Sequence, residues 1–417
     1  MQKPKLLTIQ LDNQGHLILP AEILKEYGLS SGSIVRLQQT ESGFTLSHST
    51  ASLAKVYVEA TNICNLDCST CMRNVWDEPL GKMDKQTFAQ ILLGIQSFSP
   101  LPTVFFGGFG EPLAHPNLLE MIAAVRILGA EVELITNGIL LTEPVIKRLI
   151  ELKVNRLWVS IDGATPESYA DVRLGDALPQ VIENLTRLKE LKHNSDQNLP
   201  LLGVAFVAMK RNLNDLPNVI RLGKSLGADQ FSISNVLPHT AEMQEEILYM
   251  HSMYDIELQP SRWSPEIYLP RIDLNHTTIG HLAEIMKAKN MLNIGRQPLN
   301  MGVNSCPFLE KGSISIRWDG AVSPCLPLLH THQSYLAENL RTTHAYAVGN
   351  INDHSLKDLW NNPQYIQLRE NLQAFDFSPC TFCNSCDMAE SNLEDCFGNS
   401  HPTCGGCLWA QGFIQCP

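Results

Sequence analysis

The chain has 417 residues, 44% of them hydrophobic and 18% charged, a globular composition long enough for two or three domains. Its 31 Lys and Arg stand against 43 Asp and Glu, a net charge of −12 that disfavours the phosphate backbone of nucleic acid as a partner. No run approaches the roughly eighteen apolar residues that span a bilayer, and residues 1–12 have no apolar segment ending in a small-residue cleavage site. A cytoplasmic setting is therefore expected. There the twelve cysteines, three at 64–71 and nine between 306 and 416, read as metal ligands rather than disulfides.

Residues 1–50 read as a small β-rich unit of their own. Residues 6–11 alternate like a strand, Asn13-Gln14-Gly15 is a turn, residues 17–19 resume a strand, and Pro20 opens a short helix over 21–27. The run from Asp12 to Gly28, followed by Ser31-Gly32-Ser33-Ile34-Val35, resembles the swapped-hairpin domain of AbrB-like transition-state regulators. The resemblance implies a homodimer through this domain or a docking surface for substrate. DNA binding is disfavoured, because Lys3, Lys5, Lys25 and Arg36 are matched one for one by Asp12, Glu22, Glu26 and Glu41.

From residue 51 to 240 strand-like and helix-like runs alternate, which predicts an α/β fold with a parallel sheet and right-handed crossovers. Strands are expected at 56–61, 103–108, 131–136, 156–161, 201–208 and 230–236, with helices at 87–98, 117–128, 143–152, 178–191 and 216–226. Six strands suffice for a partial (β/α)6 barrel of the TIM type, whose ligands sit at the C-terminal strand ends. Residues 241–300 are expected to form a helical linker or insert, with helices at 242–254 and 281–292. Residues 301–417 form a cysteine-rich region with one hairpin signal at Trp318-Asp319-Gly320.

The first strand runs into Cys64-x3-Cys68-x2-Cys71. Taken alone, three close cysteines are compatible with buried small side chains or one side of a zinc site. They also suit three corners of an iron–sulfur cubane, which leaves one iron without a protein ligand. This spacing, after one strand and before a partial barrel, resembles the radical SAM superfamily across residues 55–240. The resemblance implies a [4Fe–4S] cluster on Cys64, Cys68 and Cys71 that binds S-adenosyl-L-methionine and cleaves it reductively to a 5′-deoxyadenosyl radical.

By the same resemblance, Gly107, Gly108, Gly110 and Glu111 of Gly-Gly-Phe-Gly-Glu-Pro form the stretch that receives the methionine amino group. Side chains there would block a ligand's approach to the backbone. Asn137 of Thr-Asn-Gly and Ser160 and Asp162 of Ser-Ile-Asp-Gly match elements that reach the cofactor, and Arg173 matches the arginine on the methionine carboxylate. Thr70 departs from the family, which often has a bulky residue before the third cysteine.

Cys306-x13-Gly320-x4-Cys325 resembles the opening of a SPASM domain, which carries auxiliary [4Fe–4S] clusters. Cys380, Cys383, Cys386, Cys396, Cys404, Cys407 and Cys416 follow, with spacings that depart from the common pattern. Nine thiols are one more than two four-thiolate clusters need, so the ligand sets stay open, and a zinc ribbon is the rival to one cluster. The tail from Glu394 to Pro417 resembles maturases of tungsten-containing aldehyde ferredoxin oxidoreductases. That implies a substrate protein or its cofactor as target and an electron donor such as ferredoxin or flavodoxin. The alternatives are a maturase forming thioether or carbon–carbon crosslinks in a ribosomal peptide, and a DNA-binding redox regulator. No catalytic acid or base is evident among the 13 histidines and the carboxylates.

Overall fold

The computed structural model describes residues 13–20, 52–173, 177–195, 197–250, 304–336, 339–378, 380–382 and 387–417, and the backbone of strands within 35–48 and 266–298. Near the N-terminus, β1 (Val35–Thr40) and β2 (Gly43–His48) form an antiparallel hairpin. Residues 13–15 turn as expected, with Gly15 at φ +84°, but residues 17–19 form no regular strand. The strand expected at 6–11 and the helix at 21–27 lie outside the described residues.

The central α/β unit follows the alternation of the sequence. Its strands are β3 (Lys55–Val58), β4 (Thr103–Phe106), β5 (Val132–Thr136), β6 (Arg156–Ser160), β7 (Leu201–Ala208) and β8 (Ala228–Asn235), each parallel to the next. The crossovers carry α1 (Lys85–Gln96), α2 (Leu118–Ile127), α3 (Glu143–Glu151), α4 (Pro166–Arg173), α5 (Leu178–Asn194) and α6 (Leu216–Ser225). Only α4 is not expected from the sequence, because its eight residues are too short for a readable period. Asp84 starts α1 by accepting a 2.7 Å bond from Thr87 N.

The period of two along each strand sorts the core into two layers. Val56, Val58, Val104, Phe106, Val132 and Leu134 pack with the helices. Tyr57, Phe105 and Trp158 face the other way, where they meet Phe308, Leu326, Leu408 and Trp409 from the C-terminal region. The sheet's inner face is thus closed by residues far along the chain. Burying a ring such as Tyr57 or Phe105 contributes about 2–3 kcal/mol each.

Past β9 (Glu266–Leu269), β10 (Met291–Ile294) and β11 (Gln297–Pro298), the C-terminal region joins the same sheet. β12 (Ser313–Ile316) lies parallel to β3, and β13 (Ala321–Ser323) and β16 (Gly349–Asn350) extend it in antiparallel fashion to nine strands. The hairpin read at Trp318-Asp319-Gly320 joins β12 and β13. β14 (His332–Leu336) and β15 (Asn339–Thr343) form a separate hairpin.

Two expected helices, at 242–254 and 281–292, differ where they fall on described residues. Within residues 242–249 helix extends only to Gln244, because the chain turns so that Glu246 binds the backbone of Lys210 and Arg211. Of the helix expected at 281–292, residues 281–290 lie outside the described residues, and Met291 and Leu292 belong to β10, paired with β9. No helix among the described residues is long and apolar enough to cross a membrane.

Candidate radical and auxiliary cluster sites

The cysteine loop leaves the C-terminal end of β3. Each of its sulfurs has an N–H aimed at it: Leu66 N at Cys64 (3.4 Å), Arg173 Nη1 at Cys68 (3.6 Å) and Arg73 Nε at Cys71 (3.4 Å). Two of those donors are guanidiniums, an environment that suits thiolates and the net negative charge of an iron–sulfur cluster. Arg73 also bonds Asn62 O (3.1 Å) and Leu66 O (3.0 Å), so a single side chain brackets both ends of the loop. From the far side, Ser69 N and Oγ both bond Val172 O at 3.0 Å. Thr70 is half-buried beside these contacts.

Three loops at the strand ends are tied to one another. Gly107 N bonds Val58 O (3.1 Å), Phe109 N bonds Glu59 Oε2 (3.1 Å) and Glu111 N bonds Ile63 O (2.9 Å). A Cβ on Gly110 would lie 2.2 Å from Thr61 O, so only glycine lets these two loops touch. Gly108 packs on the Glu59 side chain, and Gly107 on Phe105 and Ile135.

Glu111 is buried, with its carboxylate fully occupied. It accepts from Thr136 Oγ1 (2.8 Å), Leu113 N (3.0 Å) and Asn137 N (2.7 Å). Burial pushes this carboxyl above its usual range, and the three bonds oppose that. Asn137 in turn donates to Asn65 Oδ1 (2.8 Å) and points at Cys64 Sγ (3.8 Å). Glu111 therefore fixes the loop that carries Asn137, which in turn meets the cysteine loop.

Ser160 ends β6 and is half-buried. Asp162 is fully buried, accepts from Val207 N (2.7 Å) and pairs with Arg173 at the end of α4. The Asp162 carboxylate, expected by resemblance to reach the cofactor, is engaged inside the protein. Its visible effect is to hold Arg173 beside Cys68.

In the C-terminal region four thiols from three segments line one partly open cavity of about 60 Å³: Cys306, Cys325, Cys404 and Cys407. Burial raises all four, and the proximity of the other cysteines raises Cys306, Cys325 and Cys404 further. Four half-buried thiols lining one space are the donor set that a four-thiolate cluster uses. Cys380 is buried, with Ser378 Oγ 2.9 Å from its sulfur, and lies within electrostatic reach of the exposed Cys396. Cys383 and Cys386 lie outside the described residues. Cys416 does not line that cavity; it meets Trp409 and lies near Lys311, Lys55 and Cys407. Its segment is pinned to β8 by Asn235 Nδ2 to Phe413 O (2.8 Å) and Gln415 N to Ser234 Oγ (3.0 Å).

Residues 58–234 match the Radical SAM superfamily, and residues 306–387 match SPASM, an iron–sulfur cluster-binding domain. The chain is 32% identical over 367 residues to a tungsten-containing aldehyde ferredoxin oxidoreductase cofactor-modifying protein of Pyrococcus furiosus, covering 87% of this chain and 96% of that one. The chain belongs to the radical SAM family with a SPASM domain. It is 24% identical to an AdoMet-dependent heme synthase of Methanosarcina barkeri, over 73% of this chain and 81% of that one. Among solved structures, Streptococcus suis SuiB bound to its precursor peptide SuiA shares the fold, with a TM-score of 0.51 at 13% identity over 87% of this chain and 72% of that one.

This radical SAM chain is therefore an enzyme with a [4Fe–4S] cluster that works with S-adenosylmethionine, and with auxiliary iron–sulfur clusters in its SPASM domain. Four residues around these sites escaped the sequence reading: Arg73, Glu59, His330 and Arg341. A signal existed for Glu59, a lone carboxylate in the apolar run 56–60. Arg73 sits two residues after the third cysteine, where a cation beside a ligand was a readable hint. His330 and Arg341 gave none, because their partners come from other parts of the chain.

Proposed function

We propose that this enzyme matures a tungsten-containing oxidoreductase, acting on that protein or its cofactor. The observation that carries the reading is the 32% identity to the Pyrococcus furiosus protein along 96% of that protein's length. When bound, the barrel cluster supplies the electron that cleaves S-adenosylmethionine. The chain's own residues then have separate tasks. Cys64, Cys68 and Cys71 hold the cluster, and Arg73 keeps their loop closed. The backbone of Gly107, Gly108 and Gly110 binds the methionine end, which Glu111 and Asn137 support by locking neighbouring loops together. Arg173, steadied by Asp162, offers its fork to the methionine carboxylate, and Ser160 reaches toward the ribose.

In the auxiliary region Cys306, Cys325, Cys404 and Cys407 form one ligand set, and Cys380, Cys383, Cys386 and Cys396 the other. Cys416 is the thiol left over. A ferredoxin or flavodoxin supplies electrons, and the N-terminal unit serves dimerisation or docking.

The test is anaerobic incubation of the iron-loaded enzyme with S-adenosylmethionine, reductant and a tungsten oxidoreductase made in cells lacking the enzyme. 5′-Deoxyadenosine formation that depends on the oxidoreductase, with a mass change in that protein or its cofactor, is expected. Turnover that responds only to a short ribosomal peptide, with loss of hydrogens from it, would replace this reading with peptide crosslinking.

A further inference from the structure

Arg341 on β15 is 3% exposed, yet among the described residues no carboxylate pairs with it. One of its N–H groups donates to Ala389 O. The other charges in reach are the sulfurs of Cys380, Cys407 and Cys404, one from the second ligand set and two from the first. A buried cation without a counter-charge is strongly unfavourable, so something anionic must offset it.

The guanidinium lies directly on the loop that separates those sulfurs. A Cβ on Gly406 would fall 2.6 Å from Arg341 Cζ, and one on Gly405 would fall 1.7 Å from Ser378 O. Cys404-Gly405-Gly406-Cys407 is thus pressed between Arg341 and the segment 378–381, where Thr381 Oγ1 bonds Gly405 O (2.8 Å) and Ser378 Oγ meets Cys380 Sγ (2.9 Å). Gly405 is required by its approach to backbone, whereas a methyl at Gly406 would push the guanidinium aside. The result is one fixed positive charge at the junction of the two cysteine sets. Burial works to discharge the group, and the cysteine sulfurs work to keep it charged.

We propose that Arg341 is the shared counter-charge of the two auxiliary clusters and holds their reduction potentials up. A four-thiolate cubane is anionic and becomes more so on reduction, so a cation fixed beside it favours the reduced form. The inference rests on the two ligand sets proposed above. Placed between the sets, a single cation acts on both clusters and eases passage of an electron from one to the other.

The experiment is a redox titration followed by electron paramagnetic resonance, on full-length protein reconstituted anaerobically and carrying Cys64→Ala, Cys68→Ala and Cys71→Ala so that only auxiliary signals remain. With full iron content, Arg341→Gln is expected to move the auxiliary midpoint potentials to more negative values, and Arg341→Lys to retain them. Unchanged potentials in Arg341→Gln, or an equal shift in both variants, would overturn the proposal. If Arg341→Gln holds less iron, Gly406→Ala decides, since it keeps the charge but pushes it off the loop: a downward shift supports the proposal and no shift rejects it. Failure of the ligand assignment reads differently, as full iron content in Cys404→Ala.

Discussion

His330 Nε2 lies 2.8 Å from Glu59 Oε1, joining the SPASM domain to the end of the first barrel strand. The other ring nitrogen contacts Glu78, which also accepts from Thr331 N (2.8 Å) and Arg317 (3.4 Å). Trp76 covers the imidazole at 4.2 Å between ring centroids. Because Glu59 Oε2 accepts from Phe109 N, this contact continues into the glycine-rich loop that serves the cofactor. The clasp therefore couples the position of the auxiliary domain to that loop.

It also predicts a pH dependence of stability. Burial lowers the affinity of His330 for its proton, but the bonds to Glu59 and Glu78 outweigh this and raise it from 6.5 to about 9. A group whose value is raised on folding stabilises the fold fully below its unfolded value and loses that effect as the pH passes its folded value. Stability from this clasp should hold up to pH 6.5 and fall away as the pH rises through about 9. The shift corresponds to on the order of 3 kcal/mol. Urea unfolding across this range should show the fall, and His330→Gln should flatten it. An unchanged slope in His330→Gln would refute the charged clasp.

Gly110→Ala should strike the cofactor site. The new methyl would meet Thr61 O, and separating the loops costs about 1–3 kcal/mol. A loss of S-adenosylmethionine affinity of roughly tenfold or more follows, measurable by calorimetry on iron-loaded protein. Affinity equal to the wild type would show that the loop contact is dispensable.

Arg73→Ala should release the cysteine loop, since it removes bonds to Cys71, Asn62 and Leu66 together. About four irons per chain should be lost while the auxiliary clusters stay. Arg73→Lys should restore little, because a point charge cannot reach three acceptors in a fork. Iron analysis alone settles this, and full iron in Arg73→Ala would contradict it.

The ligand sets predict a contrast between two C-terminal cysteines. Cys404→Ala should lose about four irons, whereas Cys416→Ser should retain all of them. Iron loss in Cys416→Ser would return the ninth cysteine to the ligand set.

The sequence alone determined a great deal about this enzyme. The alternation of strand and helix from residue 56, and the positions of six strands, were legible because period-two and period-3.6 patterns are local properties. So were the cysteine loop, the glycine stretch and the opening of the SPASM domain, where short spacings carry the chemistry. Tertiary structure alone decided the rest. Nothing local says that β12 would pair with β3, or that residues 408–414 would cover Tyr57 and Trp158. Asp162 looked like a ligand-facing carboxylate until Arg173 and Val207 were seen to occupy it. The nine C-terminal cysteines could not be sorted by spacing, since Cys306, Cys325 and the Cys404–Cys407 loop come together only when three distant segments meet around one cavity. The same holds for His330 and Arg341, whose meaning depends on which charges the fold places beside them: a side chain's type is written in the sequence, but the field in which it sits is set by long-range packing.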